Sequence, residues 1–255
     1  MTDHHPDRLP VILLHAFPLN HPLWDAQAAA IRATGREVLT PDLPGFGSAL
    51  TPESNPSLDV FAGAVLAAAD IAGYERFILG GLSMGGYTAM ALLRMDPHRV
   101  AGLILADTRC TPDTPEAAAN RRATADSVSV SEDLAAFARA TIPNLVGATT
   151  LAERPDVTNT VRTWIEANSP LGVAWALRAM ANRPDSTATL AAFDGPSLVV
   201  WGEEDELTNR AEHEHMVDLL TDTELALIPG AGHLSSIESP DAVTGVVLDF
   251  LAVVE

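Results

Sequence analysis

Lysine is absent from this 255-residue chain, whose fifteen basic residues are all arginine. That excludes a Schiff-base lysine, a P-loop lysine and a Ser-Lys dyad together. Cysteine is nearly absent as well. Cys110 stands alone and permits neither an intrachain disulfide nor a cysteine-rich metal cluster. The eight histidines form no H-E-x-x-H helix or comparable ligand set, so no metal or other cofactor is expected. Positive charge is scarce: 34 acidic residues give a net charge of −19, without the basic footprint that nucleic acid or an anionic membrane surface demands. No apolar run approaches the length of a membrane span, and residues 2–8 lack the basic-then-apolar pattern of a secretory leader. The expected setting is the cytoplasm.

The apolar content of 47% suffices for one sizeable core. Short apolar runs of strand length at 9–14, 37–39, 77–79, 100–106, 197–201 and 225–228 alternate with helical patterns at 24–33, 58–72, 87–94, 210–220 and 240–253. Such alternation predicts an α/β fold, a parallel doubly wound sheet with right-handed crossovers. Between 108 and 193 the rhythm changes to helical patterns at 115–125, 131–140, 157–168 and 170–181 with no convincing strand. This all-helical stretch reads as an inserted cap over the carboxyl edge of a core made of 1–107 and 194–255. Trp164, Trp175 and Met180 are candidates for lining a cavity beneath the cap, although core packing explains each more simply. The pair Arg121-Arg122 reads as a solvated helix face.

One stretch organises the chain. The apolar run at 77–79 ends in Gly80-Gly81-Leu82-Ser83-Met84-Gly85-Gly86, with a helix expected from Tyr87. Ser83 therefore sits on a tight strand-to-helix turn. Glycines two before and two after it, Gly81 and Gly85, let strand and helix approach closely, which is the G-x-S-x-G nucleophile elbow. The following helix aims its N-terminal amides at any oxyanion formed there. A serine is a poor nucleophile unaided and needs a general base held by an acid.

Later strand ends supply both partners. The run at 197–201 leads into Gly202-Glu203-Glu204-Asp205-Glu206, and the run at 225–228 ends at Pro229-Gly230-Ala231-Gly232-His233. Asp107 follows the strand at 100–106. Two earlier polar residues also follow strands: His15 reads as a structural hydrogen-bonding residue and Asp42 as a cap of its Pro/Gly-rich loop. His213 and His215 read as solvent-exposed.

With these stretches in order, the chain resembles the α/β-hydrolase superfamily. The resemblance rests on His15-Ala16-Phe17-Pro18, Asp42-Leu43-Pro44-Gly45-Phe46-Gly47, Gly81-Leu82-Ser83-Met84-Gly85-Gly86, Gly202-Glu203-Glu204-Asp205 and Gly230-Ala231-Gly232-His233, and covers nearly the whole length. It implies Ser83 as nucleophile, His233 as base and then acid, and Asp205 as the residue orienting the imidazole. Glu203, Glu204 and Glu206 are weaker candidates because the family pattern G-x-x-D falls on Asp205; Asp107 is the second choice. The resemblance places the oxyanion donors at the backbone N–H groups of Phe17 and Met84. His15-Ala16 departs from the usual His-Gly, and the first strand lies too near the start for the antiparallel hairpin that often opens the fold.

The activity implied is cleavage of a small-molecule carboxylic ester or lactone through an acyl-serine, with similarity to 3-oxoadipate enol-lactonases and cofactor-free haloperoxidases or perhydrolases. A serine at the elbow argues against the dehalogenases and epoxide hydrolases of this fold, which use aspartate there. A ligand-sensing protein that keeps the fold is the alternative of a different class, and C–C or hydroxynitrile cleavage would reuse the same residues. Oligomeric state is left open.

Overall fold

A computed structural model describes residues 8–254. Of the polar segment at 2–8 only Arg8 falls within them, and the sequence reading of residues 1–7 lies outside the described residues. In chain order the elements are β1 Val11–Leu14, α1 Asp25–Ala33, β2 Val38–Leu39, α2 Leu58–Ala72, β3 Phe77–Leu82, α3 Met84–Met95 and β4 Val100–Ala106. Then follow α4 Pro115–Ser129, α5 Ala135–Leu145, α6 Ala148–Glu153, α7 Pro155–Glu166, α8 Pro170–Ala181 and α9 Thr187–Ala191. The chain closes with β5 Pro196–Gly202, α10 Arg210–Leu219, β6 Asp222–Ile228, α11 Ser235–Glu238 and α12 Pro240–Val253.

The strands form one six-stranded sheet in the order β2-β1-β3-β4-β5-β6, and every pairing among them is parallel. β1, β3 and β4 are buried along their whole length, as their unbroken apolar runs require in a sheet covered on both faces. β6 is an edge strand. Its first half alternates between exposed and half-buried positions, so only its last four residues read as an apolar run. Helices flank the sheet, α1 packing with α12 and α2 with α3. Arg36 ties the ends of the fold together, its buried guanidinium donating to the carbonyls of Leu9, Leu251 and Val254.

The chain winds away from β1 in both directions, so a crevice opens beyond the carboxyl ends of β1 and β3, where open α/β sheets place ligands. The block from α4 to α9 is all helical, as expected; α4 packs against α8 and α5 against α7. Its boundaries differ from the periodicity in detail. α5 starts at Ala135 rather than 131 and runs through Pro143, while the short helices α6, α9 and α11 are too brief to show a period. Among the described residues no helix is long and apolar enough to cross a membrane.

Candidate active site

The site starts from a backbone constraint. Ser83 has φ 55 and ψ −111, a left-handed conformation that a non-glycine residue adopts only when its surroundings force it. The forcing is visible in the glycines. A Cβ on Gly81 would meet the carbonyl of Gly85, and one on Gly85 would meet the carbonyl of Leu14 in the neighbouring strand. α3 thus starts at once, at Met84, three residues earlier than helix propensity suggests, because Gly85 and Gly86 are poor helix formers serving close packing. Thr108 fastens the turn from the next strand by donating its hydroxyl to the Ser83 carbonyl at 2.9 Å.

Two later loops meet this turn. His233 Nε2 lies 2.7 Å from Ser83 Oγ, and His233 Nδ1 lies 2.8 Å from Asp205 Oδ2. A carboxylate can only accept, so Nδ1 carries the proton and the Nε2 lone pair faces the serine hydroxyl. Burial alone would lower the His233 pKa, but the Asp205 carboxylate offsets that and holds it above the ordinary 6.5. Burial likewise works to raise Asp205; the His233 partner and the donors from Thr208 outweigh it and keep the carboxyl below the usual range. Asp205 Oδ1 accepts the N–H groups of Leu207 at 2.8 Å and Thr208 at 3.1 Å, and Oδ2 accepts the Thr208 hydroxyl. Thr208 was not singled out from the sequence. The available signal was an aspartate followed at two and three residues by free amides, the pattern of an Asx turn.

The other candidates separate cleanly. Asp107 does not touch the imidazole: Oδ1 accepts from Gly202 N at 2.9 Å and Oδ2 from the N–H and hydroxyl of Ser235, which ties β4 to both loops. Burial pushes its carboxyl up to about 8, with the charge of Asp205 adding to the effect. Glu203 and Glu206 are exposed, and Glu204 accepts from Thr149 instead. His15 is structural, as expected, accepting from Leu43 N at 2.9 Å and donating to the Ala16 carbonyl; burial lowers its pKa to about 4. Asp42 caps its loop through His21 and Ser48. Phe17 follows β1 and Met84 follows β3, and the pairing of Leu14 with Gly81 sets both residues three positions beyond the same rung of the sheet.

Two expectations need correction. His213 is fully buried, its ring 5.9 Å from Trp201 and its Nδ1 bonded to the Asn209 carbonyl; only His215 is exposed. Spacing carried the sign of this, since His213 shares one helix face with Met216 and Leu220. Arg121 is not on a solvated face. It lines the cavity beside Ser83 and pairs with Asp113 at 2.6 Å, whereas Arg122 is exposed. Of the three residues considered for the cavity wall, Met180 lines it; Trp175 packs on Phe61 at 5.1 Å and donates to the Ser54 carbonyl, and Trp164 packs half-buried against the core.

That cavity has a volume of about 590 Å³. Its lining combines apolar side chains, among them Phe17, Phe137, Leu177 and Leu207, with polar ones from α4 and α5 such as Asn120, Arg121, Thr141 and Asn144. Among the described residues no group of three His, Cys, Asp or Glu side chains could hold a metal ion.

A buried Ser-His-Asp relay on a sharp strand-to-helix turn, at the carboxyl edge of a parallel sheet, defines a class by geometry. Residues 10–240 match the family of the alpha/beta hydrolase fold, and the chain belongs to it. Among its relatives is a pimeloyl-[acyl-carrier protein] methyl ester esterase of Aromatoleum aromaticum, 29% identical over 92% of this chain and 95% of the esterase. A malate-bound thermophilic esterase from Thermogutta terrifontis is 38% identical with a TM-score of 0.93, over 96% of this chain and 90% of that one. The enol-lactonase from Burkholderia xenovorans LB400 is 26% identical with a TM-score of 0.86, over 96% and 92%.

Proposed function

We propose that this protein is a serine hydrolase that cleaves a small carboxylic ester or lactone through an acyl-serine intermediate. The observation that carries the reading is the unbroken relay from Ser83 through His233 to Asp205, facing a cavity large enough for a small substrate. In the first half-reaction Ser83 Oγ attacks the carbonyl carbon as its proton passes to His233 Nε2. The carbonyl oxygen becomes an oxyanion, held by the backbone N–H groups of Met84 and Phe17; losing one such donor raises the barrier by about 3 kcal/mol. His233 then returns the proton to the leaving alkoxide, which for a lactone stays tethered to the acyl group. In the second half a water gives its proton to His233 as it attacks the acyl carbon; the bond from that carbon to Ser83 Oγ then breaks, His233 returns the proton to Oγ, and the carboxylic acid leaves. Asp205 holds the imidazole in the tautomer both halves need and balances its charge.

The three side chains supply nucleophile, base and orienting acid, so the chemistry calls on no cofactor, and the reading includes a small-molecule substrate met in the cytoplasm. The helices from α4 to α9 form the cap in this reading, in keeping with the walls that α4, α5 and α8 give the cavity. Ester and lactone cleavage is also in keeping with the names of the esterases and the enol-lactonase among its relatives. The test is turnover of short p-nitrophenyl esters together with serine labelling by a fluorophosphonate. Wild-type protein should do both and Ser83→Ala neither; turnover surviving in that variant removes the mechanism.

A further inference from the structure

The cavity wall holds a cation that its surroundings do not use up. Asp113 is almost wholly buried and already paired: its Oδ1 lies 2.8 Å from Arg183 Nη1 and 3.4 Å from Arg109 Nη2. Arg183 is committed further, to the carbonyls of Thr111 and Met180, with its guanidinium 4.3 Å over the Tyr87 ring. Arg109 Nη1 goes to Glu212 at 3.0 Å, and the unpartnered Nε atoms of Arg109 and Arg183 are both buried away from any ligand. Arg121 is different. It reaches Asp113 Oδ2 through Nε alone, its Nη1 meets only the weak acceptor Met180 Sδ at 3.9 Å, and Nη2 has no partner among the described residues.

Charge bookkeeping agrees with that asymmetry. Three guanidinium groups face the two carboxylates of Asp113 and Glu212, which leaves one positive charge in excess in a chain whose net charge is −19. The charged side chains lining the cavity, apart from His233, are Arg109, Arg121 and Asp113. Arg121 also comes from a helix face turned inward: Ala117, Asn120, Arg121 and Thr124, at i, i+3, i+4 and i+7 on α4, all line the cavity. A guanidinium offering free N–H groups inside a cleft of low dielectric recognises a carboxylate far better than a neutral group.

We infer that Arg121 is a specificity-determining residue that binds a free carboxylate on the substrate, so that the preferred substrates are esters or lactones carrying a second, anionic carboxyl group. The inference rests on the ester-hydrolase reading above and deepens it. The cavity volume equals that of a sphere roughly 10 Å across, which limits the carboxylate to a few bonds from the scissile carbonyl. The carboxylate can sit on either side of the ester bond, on the acyl part or on the alcohol part.

The experiment compares matched pairs in which the carboxylate is replaced by the carboxamide of the same shape. On the acyl side these are methyl hydrogen succinate, glutarate and adipate with their amides. On the alcohol side they are the acetyl esters of glycolate and glycolamide. In wild-type protein kcat/KM should favour the carboxylate member of the best-fitting pair by about ten- to a hundredfold, the range for a hydrogen bond to a charged partner. Within Arg121→Met the same ratio should fall to about one, chiefly through KM. Removing Arg121 also unpairs one oxygen of Asp113, so Thr124→Asp is the second variant. It leaves the Asp113 pairs intact and offers Arg121 a carboxylate one turn along the helix, and it should erase the preference too.

A wild-type enzyme that cleaves the amides as well as the acids in every pair overturns the inference while the hydrolase reading stands. A preference that persists unchanged in both variants overturns it equally. Failure to turn over either member of any pair, and p-nitrophenyl acetate as well, overturns the parent reading and the inference with it.

Discussion

Replacing Asp205 by asparagine isolates what the relay requires. The Asp205 Oδ1 position is fixed by two backbone amides, Leu207 N at 2.8 Å and Thr208 N at 3.1 Å, which can only donate. The asparagine oxygen must therefore stay there, and its NH₂ group falls at the Oδ2 position, 2.8 Å from His233 Nδ1. An NH₂ donates, so Nδ1 has to accept and the imidazole proton moves to Nε2, pointing at Ser83. The hydroxyl then faces a donor where it needs a base. A wrong tautomer with the geometry intact lowers kcat by about 10⁴-fold, or about 5 kcal/mol of barrier. KM should move little.

The pH profile adds an independent reading. Because the Asp205 carboxylate holds the His233 pKa above 6.5, the wild-type rate should rise with pH through a limb above 6.5, as the imidazole loses its proton. Without that charge, burial dominates and the limb of Asp205→Asn should move to lower pH. The assay is kcat/KM for p-nitrophenyl acetate against pH, with a thermal melt to establish that the variant folds. Activity above about a tenth of wild type, or a limb that does not move, would refute the role given to Asp205. Another carboxyl acting on His233, Asp107 or Glu238, would then have to supply the effect, and double variants with each would locate it.

Other perturbations test the scaffold. Gly85→Ala sets a methyl group against the backbone carbonyl of Leu14 and should cost about 3 kcal/mol or more in urea denaturation, whereas Gly63→Ala, with nothing within 4 Å, should stabilise α2 by about 0.5–1 kcal/mol. Arg36→Met orphans the carbonyls of Leu9, Leu251 and Val254 and should cost about 2–4 kcal/mol; an unchanged midpoint would show that α12 holds without the latch. His15, with its pKa lowered to about 4, binds its proton later than an unfolded histidine does. Its contribution should be complete above pH 6.5 and fade by about 3 kcal/mol as pH falls toward 4, a slope that His15→Gln should lose.

What the sequence made legible and what it hid follow one division. Ser83, His233 and Asp205 were readable because each lies where a strand ends in a glycine-rich turn, and the backbone constraint there is local. Gly81 and Gly85 announce an approach too close for a Cβ whatever the rest of the chain does. His15 and Asp42 were readable because each also follows a strand end, His15 directly after β1 and Asp42 in the Pro/Gly-rich loop after β2. The true setting of Asp107 was not, because its carboxyl is tied to Ser235, far along the chain; Thr208 is local to Asp205, but a single threonine three residues on is too common a feature to stand out. His213 reads as surface because it stands two residues from His215 among charged side chains, although its ring packs 5.9 Å from Trp201 in the interior.

Arg121 shows why the substrate is harder to read than the chemistry. Periodicity reports only that a helix face is polar. It cannot say whether the water beyond that face is bulk solvent or the contents of a cavity, since both suit the same side chains. On α4 the stripe Ala117, Asn120, Arg121 and Thr124 has the spacing of an outward face, and on α5 so has Phe137, Ala140, Thr141 and Asn144, yet both line the cavity that holds Ser83. The two faces become cavity wall because tertiary packing turns them inward together. The Ser83, His233 and Asp205 side chains are therefore placed by local backbone demands, and the wall of the cavity they face by which polar helix faces the helices between β4 and β5 bring over them.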